Sequence, residues 1–199
     1  MKLVRKQRQY NMSECKNVRN LKHQRRGESS EIFLDKNAIL ENLTIMPGQI
    51  VLDAGCGNGY MAKEFAKLTG KTGKVYALDS DIRLIEILKG ETEGTIIEPF
   101  VGDITKETKL AASSIDLIYV STVIHGFSES QMEGFLRETK RLLKPSGRLA
   151  IVEIKKKETP FGPPLDKRFS PEELKRAISL TLTRLIDVGQ FFFMQIFGK

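Results

Sequence analysis

Apolar positions recur along this chain in two alternating rhythms. From about residue 31, Ile32, Phe33, Ile39, Leu40 and Leu43 fall on one helical stripe, which Pro47-Gly48 ends in a turn. Residues 49–53 are a short apolar run of strand length that leads into a glycine loop. Residues 60–68 return to helical spacing, with Met61, Phe65 and Leu68 on one side, and Gly70 and Gly73 close the segment. Residues 74–79 read as a second strand ending in an acid. Residues 81–89 read as a helix with Ile82, Ile85 and Leu88 on one face and Gly90 as its stop. Residues 95–101 and 115–120 give the third and fourth strands. Residues 131–143 place Met132, Phe135, Leu136, Leu142 and Leu143 inward on a helix that Lys144-Pro145-Ser146-Gly147 ends, and residues 148–154 form a fifth strand. A linker at 155–169 carries Pro160, Gly162, Pro163 and Pro164. Ser170-Pro171-Glu172-Glu173 then starts a helix, with Ser as cap, Pro in the first helical position and Glu in the third. Residues 184–188 and 191–197 close the chain as strands around Gly189-Gln190.

Strands alternating with helices at short intervals predict an α/β fold, a Rossmann-like doubly wound sheet with helices on both faces. Seven strands are expected. The connection between the last two permits a hairpin but no crossover, so the final strand must run antiparallel to its partner.

Asp53-Ala54-Gly55-Cys56-Gly57-Asn58-Gly59 lies directly after the first strand and opens the first helix of the sheet. A strand end, a glycine loop and a helix N-terminus together form a nucleotide-type site. The spacing is G-x-G-x-G; Tyr60 stands where a dinucleotide fingerprint places its third glycine, and no Gly-Lys-Ser/Thr follows. Asp53 would be awkward beside a pyrophosphate but suits a ligand carrying an ammonium and a sulfonium. Asp79, ending the second strand, can accept both ribose hydroxyls and would repel a 2′-phosphate.

Composition narrows the class. With 199 residues, 40% hydrophobic and 29% charged, the chain has the make-up of an ordinary globular domain, and no apolar run approaches a membrane span. The net charge of +7 is not spread evenly. Residues 1–30 hold nine basic and two acidic side chains, while the remainder carries 23 of each. The expected organisation is therefore a basic arm or lid at 1–30, mobile or ordered by a partner, ahead of a neutral catalytic domain at 31–199. The two cysteines, Cys15 and Cys56, have no metal-ligand spacing, so neither a metal nor a disulfide framework is expected. The N-terminus lacks an apolar signal core, which points to the cytoplasm.

These blocks resemble the class I S-adenosylmethionine-dependent methyltransferases over roughly residues 31–199. The match comprises Val51 to Gly59, Val75 to Asp79, Val101-Gly102-Asp103-Ile104, Ile115 to Ile118 and Leu142 to Leu149, in the family's order. An antiparallel last strand is also what that fold implies. Within the family the chain is most similar to the small stand-alone group that includes ubiquinone/menaquinone-biosynthesis and arsenite methyltransferases. The resemblance implies S-adenosylmethionine as cofactor. It implies that Gly55, Cys56 and Gly57 cradle the amino acid end, with Asp53 supporting its ammonium. Asp79 would take the ribose, and Ser80 would lie beside the adenine. Asp103 would meet the adenine amino group, the Ile104 N–H a ring nitrogen, and Ser121 would line the pocket near the methionine moiety. Arsenic as substrate is disfavoured, because only two thiols are present.

His125, just past the fourth strand, is the candidate general base, against a loop histidine satisfied by backbone groups. Cys56 reads as a small residue packed inside the loop. Glu153 either faces the pocket or pairs with a lysine. Tyr10, Tyr60 and Phe127 are candidates to cap a sulfonium. The expected reaction is direct displacement of the methyl group by a small-molecule acceptor. No membrane partner is expected, and a monomer or a homodimer both remain open. The alternatives are an RNA methyltransferase that grips nucleic acid through residues 1–30, a cofactor-binding protein without catalysis, and an NAD-type oxidoreductase. The fourth strand ends in Ser121-Thr122-Val123-Ile124 rather than an Asp/Asn-Pro-Pro-Tyr motif, which counts against nucleic acid.

Overall fold

A computed structural model describes residues 32–199. The expected basic arm at 1–30 lies outside the described residues. Seven strands form one sheet in the order β3-β2-β1-β4-β5-β7-β6. They are β1 (Ile50–Ala54), β2 (Lys74–Asp79), β3 (Ile97–Val101), β4 (Ile115–Ser121), β5 (Leu143–Ile154), β6 (Thr181–Asp187) and β7 (Phe192–Gly198). β1 to β5 pair in parallel, and β7 runs antiparallel to both β5 and β6, as the short final connection requires.

The central strands are buried on both faces, which explains their continuous apolar character. Side chains alternate between two cores. Val51, Val75, Leu117, Tyr119 and Val152 face helices α1 (Lys36–Leu43), α2 (Tyr60–Thr69) and α3 (Ile82–Glu91). Leu52, Leu78, Ile118, Val120 and Ile151 face α4 (Glu129–Leu142) and α5 (Pro171–Ala177).

Several boundaries differ from the sequence pattern for local reasons. α1 starts at Lys36, not near residue 31, because Asp35 caps it through the Ala38 N–H at 3.0 Å. Ile32 is 54% exposed, and Phe33 leaves the stripe to stack on Phe161 at 4.5 Å between ring centroids. α3 runs through Gly90, and Thr92 ends it by returning its hydroxyl to Leu88 O at 2.7 Å. Leu68 and Ile82 point toward solvent rather than into the apolar faces. α4 begins earlier than expected because Ser128 and Gln131 form a reciprocal capping box.

Lys144-Pro145-Ser146-Gly147 does end α4 but does not delay the next strand. The pairing jumps from Ile115↔Leu143 to Leu117↔Arg148, so these residues bulge out within β5. Asp116, opposite the bulge, is clamped by Lys144 at 2.8 Å and accepts the Ile50 N–H at 2.8 Å. β6 starts at Thr181, three residues ahead of the expected position, and carries a further irregularity between Leu182 and Arg184.

The 155–168 linker is held by one side chain. The buried Arg168 guanidinium donates to the carbonyls of Lys155, Lys157, Phe161 and Pro163 and to the Thr159 hydroxyl, at 2.7–3.2 Å. Phe161, at the tip of this linker, packs on Phe33 and Phe191 and so joins the N-terminal segment to the β6–β7 hairpin.

Gly134 marks where α4 lies closest to the loop after β3: a methyl there would collide with the carbonyl oxygen of Thr105. Nearby, Glu138 holds Thr108 N–H and Oγ1 and the Arg141 guanidinium, at 2.7–2.9 Å. Gly134→Ala should therefore lower unfolding stability by about 1–3 kcal/mol despite the better helix propensity of alanine, as read by urea denaturation.

Candidate functional site

β1 ends in a loop that turns back onto β2. The N–H groups of Gly55 and Cys56 both donate to Leu78 O, at 2.7 and 3.0 Å, and the Gly57 N–H donates to Asp79 Oδ2 at 2.9 Å. Gly55 has φ +81, and an added Cβ would stand 2.5 Å from Val123 Cγ2. Gly59 has φ +75 at the N-cap of α2, and a side chain there would strike Leu88. Gly57 is different: an added Cβ would meet no atom within 4 Å. The loop is thus tight where it meets the protein and open on one side.

A pocket opens there, lined in part by Asp53, Gly55, Cys56, Gly57, Ser121 and Thr122. Leu34, Asn58, Tyr60, Met61 and Tyr119 complete its wall. Asp53 is 3% exposed, and its Oδ2 has no hydrogen-bond partner among the described residues. Burial pushes its pKa up to about 7; the Ala62 N–H opposes this rise and the charge of Asp79 adds to it. Tyr119 pairs with Asp53 across the β1–β4 ladder, and its buried hydroxyl also lacks a hydrogen bond. Burial likewise raises the phenol. Two orphaned polar groups therefore sit side by side below the glycine loop, where an unmet group is costly unless a ligand meets it.

Asp79, Ser80, Asp103 and Ile104, also expected at the site, are not among the residues that line this pocket. Asp79 accepts from Gly57 and, through Oδ1, from the Asp81 N–H at 2.9 Å, which fixes its carboxylate at the end of β2. Ser80 is exposed and Ile104 is buried. Asp103 Oδ1 accepts from both Thr105 N–H and Oγ1, at 2.9 and 2.6 Å, while Oδ2 faces Lys106 Nζ at 3.6 Å. The Cys56 thiol is buried, and that burial, followed by the charges of Asp53 and Asp79, pushes its pKa up, so it is a packed side chain and not a nucleophile. Tyr60 lines the pocket, Phe127 turns instead against Phe135 at 5.8 Å, and Tyr10 lies outside the described residues.

His125 occupies a 3-10 turn (Ile124–Gly126) directly after β4. It is not a lining residue of the pocket, but Val123, two residues earlier, is the side chain packed on Gly55. Its Nδ1 lies 2.9 Å from Glu153 Oε2. Glu153 therefore pairs with histidine, not with lysine. The nearby lysines are engaged elsewhere: Lys155 with Asp187 at 2.9 Å and Lys156 with Glu173 at 2.7 Å.

Thr122 is a lining residue that the pattern gave no reason to choose. It has φ +56, an uncommon left-handed conformation for a β-branched residue, and it is held by its N–H on Val152 O at 2.9 Å. Strain of this kind concentrates at functional sites.

A family model described as a methyltransferase domain matches residues 51–147, the span from β1 to the bulge of β5. A solved S-adenosylmethionine-dependent methyltransferase from Aquifex aeolicus superposes with a TM-score of 0.75 at 26% identity, covering 96% of this chain and 99% of that one. This chain belongs to the class I S-adenosylmethionine-dependent methyltransferases. The chain is also 30% identical over 133 residues to the ubiquinone/menaquinone biosynthesis C-methyltransferase UbiE of Laribacter hongkongensis, covering 66% of this chain and 53% of that protein. It is 29% identical over 156 residues to the uncharacterized methyltransferase sll0829 of Synechocystis, covering 76% and 71%. The chain thus spans about half the length of the UbiE relative. S-adenosylmethionine is the cofactor of this class, and the glycine loop after β1 is where this methyltransferase departs from a dinucleotide-binding fingerprint.

The buried carboxyl of Asp53 has a consequence for stability. Its folded pKa of about 7 lies above the ordinary carboxylate value. Between roughly pH 4 and 7 the folded protein holds a proton that the unfolded chain has released, so stability falls as pH rises through this window. Asp53→Asn should remove that loss. Urea denaturation should find the variant more stable than the parent at pH 8, by on the order of 2–4 kcal/mol, with the gap closing toward pH 4.

Proposed function

We propose that this protein transfers the methyl group of S-adenosylmethionine to a small-molecule acceptor by direct displacement. The observation that carries this reading is the orphaned Asp53 Oδ2, buried in the wall of a pocket that the unobstructed Gly57 also lines. A buried carboxylate with an unused oxygen fits a cationic ligand and disfavours a pyrophosphate.

When bound, the cofactor supplies a methyl group already activated on a sulfonium. The chain's own work is to bind, orient and dehydrate. Asp53 receives the ammonium, with Gly55, Cys56 and Gly57 lining the approach and Ser121 on the β4 side. Asp79 keeps lone pairs beyond the two N–H groups it already accepts, enough for a ribose diol. Asp103 Oδ2, which faces Lys106 Nζ at 3.6 Å, would also accept the adenine amino group, with Ser80 and the Ile104 N–H flanking the ring. Holding donor and acceptor in line can supply roughly 7–11 kcal/mol of the barrier. His125 takes the proton that an acceptor loses as the methyl arrives. The balanced charge of residues 31–199 calls for no nucleic-acid partner.

Calorimetry with S-adenosylmethionine, S-adenosylhomocysteine and NAD tests the reading. Binding of the first two but not of NAD supports it, and the reverse overturns it. Asp79→Ala should weaken S-adenosylmethionine binding by roughly tenfold to a hundredfold, the loss of hydrogen bonds to a charged group. His125→Ala should leave that binding within about twofold and lower turnover by roughly 10²–10⁴. Mass spectrometry of ligand carried through purification identifies the acceptor for the turnover assay.

A further inference from the structure

Glu153 is an unusual residue for its place. It lies on β5, an interior strand, and is fully buried. Among the described residues no lysine or arginine pairs with it. Its two oxygens are instead divided between neighbours on one turn: Oε1 accepts the Ile124 N–H at 3.1 Å, and Oε2 faces His125 Nδ1 at 2.9 Å. A carboxylate so buried is kept only where its hydrogen bonds are well made.

We infer that Glu153 is the positioning residue that fixes His125 as a base with its free lone pair on Nε2, and that the acceptor is therefore a molecule whose reacting atom carries a removable proton. This rests on the methyltransferase reading above. A carboxylate accepts and does not donate, so the proton of the neutral imidazole is drawn to Nδ1 and the lone pair is left on Nε2. The Ile124 N–H bond fixes the carboxylate itself, so the ring is held at one edge by a group that cannot turn. His125 is 22% exposed at its side chain, so the ring is not sealed within the core. Val123 carries the same turn onto Gly55 of the cofactor loop.

The chemistry balances without a further reagent. The acceptor's X–H proton passes to Nε2, and the electron pair of that bond forms the new X–CH₃ bond. The C–S bond breaks, and its pair remains on sulfur as a neutral thioether. The imidazolium that results lies against the Glu153 carboxylate. An acceptor such as a tertiary amine or a thioether, with no proton to lose, would make no use of this pair. A phenol, a thiol or an acidic carbon would.

The test is nitrogen NMR of the full-length protein, with His23→Gln used to assign the two histidines. In the parent, the His125 ring should be the Nδ1–H tautomer by more than about tenfold, given the strength of a hydrogen bond to a charged acceptor. In Glu153→Gln the amide oxygen can keep the Ile124 N–H, which turns the NH₂ group toward Nδ1 and should invert the tautomer ratio. S-adenosylmethionine affinity should stay within about twofold, because the substitution lies outside the cofactor pocket. A parent spectrum showing the Nε2–H tautomer overturns the inference, even if Glu153→Gln does not fold. A ratio unchanged in a folded Glu153→Gln also overturns it, leaving a structural role only. If the tautomer inverts but the parent binds no S-adenosylmethionine, the methyltransferase reading fails and the positioning of His125 stands.

Discussion

The site depends on backbone brought closer to its surroundings than a side chain allows. Gly55 lies under Val123, and Gly59 lies under Leu88, so the turn after β4 and α3 both press on the loop between β1 and α2. The same loop hangs by two N–H groups on one carbonyl, Leu78 O. These contacts bring the end of β1, the end of β2 and the turn after β4 to one edge of the sheet. Ligands bind at this edge in open α/β folds because strand ends, helix starts and connecting loops converge there.

Within that frame the protein accepts a poor local arrangement. Asp53 Oδ2 and the Tyr119 hydroxyl are buried polar atoms with no hydrogen-bond partner among the described residues, set next to each other across a ladder. Thr122 adds a left-handed backbone at the next position of the wall. The large apolar cores on the two faces of the sheet supply the stability that this corner lacks. Function and stability therefore draw on different residues of the same strands: Leu52 and Ala54 pack, while Asp53 between them faces the pocket.

Much of this was legible in the sequence because it is local. The glycine spacing, the acids ending β1 and β2, and the short link before the last strand each involve neighbours along the chain. What could not be read depends on distant partners. The pairing of Glu153 with His125 joins residues 28 positions apart, and it exists because β4 and β5 are adjacent. Leu34 reaches the pocket only because Phe33 docks on Phe161 and Phe191. Gly90 looked like a helix end by propensity, but the Thr92 hydroxyl supplies a stop two residues later. The Lys144–Gly147 bulge needs the opposing Asp116 to be understood.

Arg168 shows how a segment without helix or strand can still be fully formed in advance. Its guanidinium meets four carbonyls and a hydroxyl of the 155–168 linker, so the polar backbone of that linker is answered from within. Its conformational entropy has already been given up, and a ligand arriving at the sheet edge need not order it. The linker is thus set before any ligand arrives, and none of its residues lines the pocket. Lysine in place of Arg168 would keep the charge but lose the fork that reaches five acceptors at once.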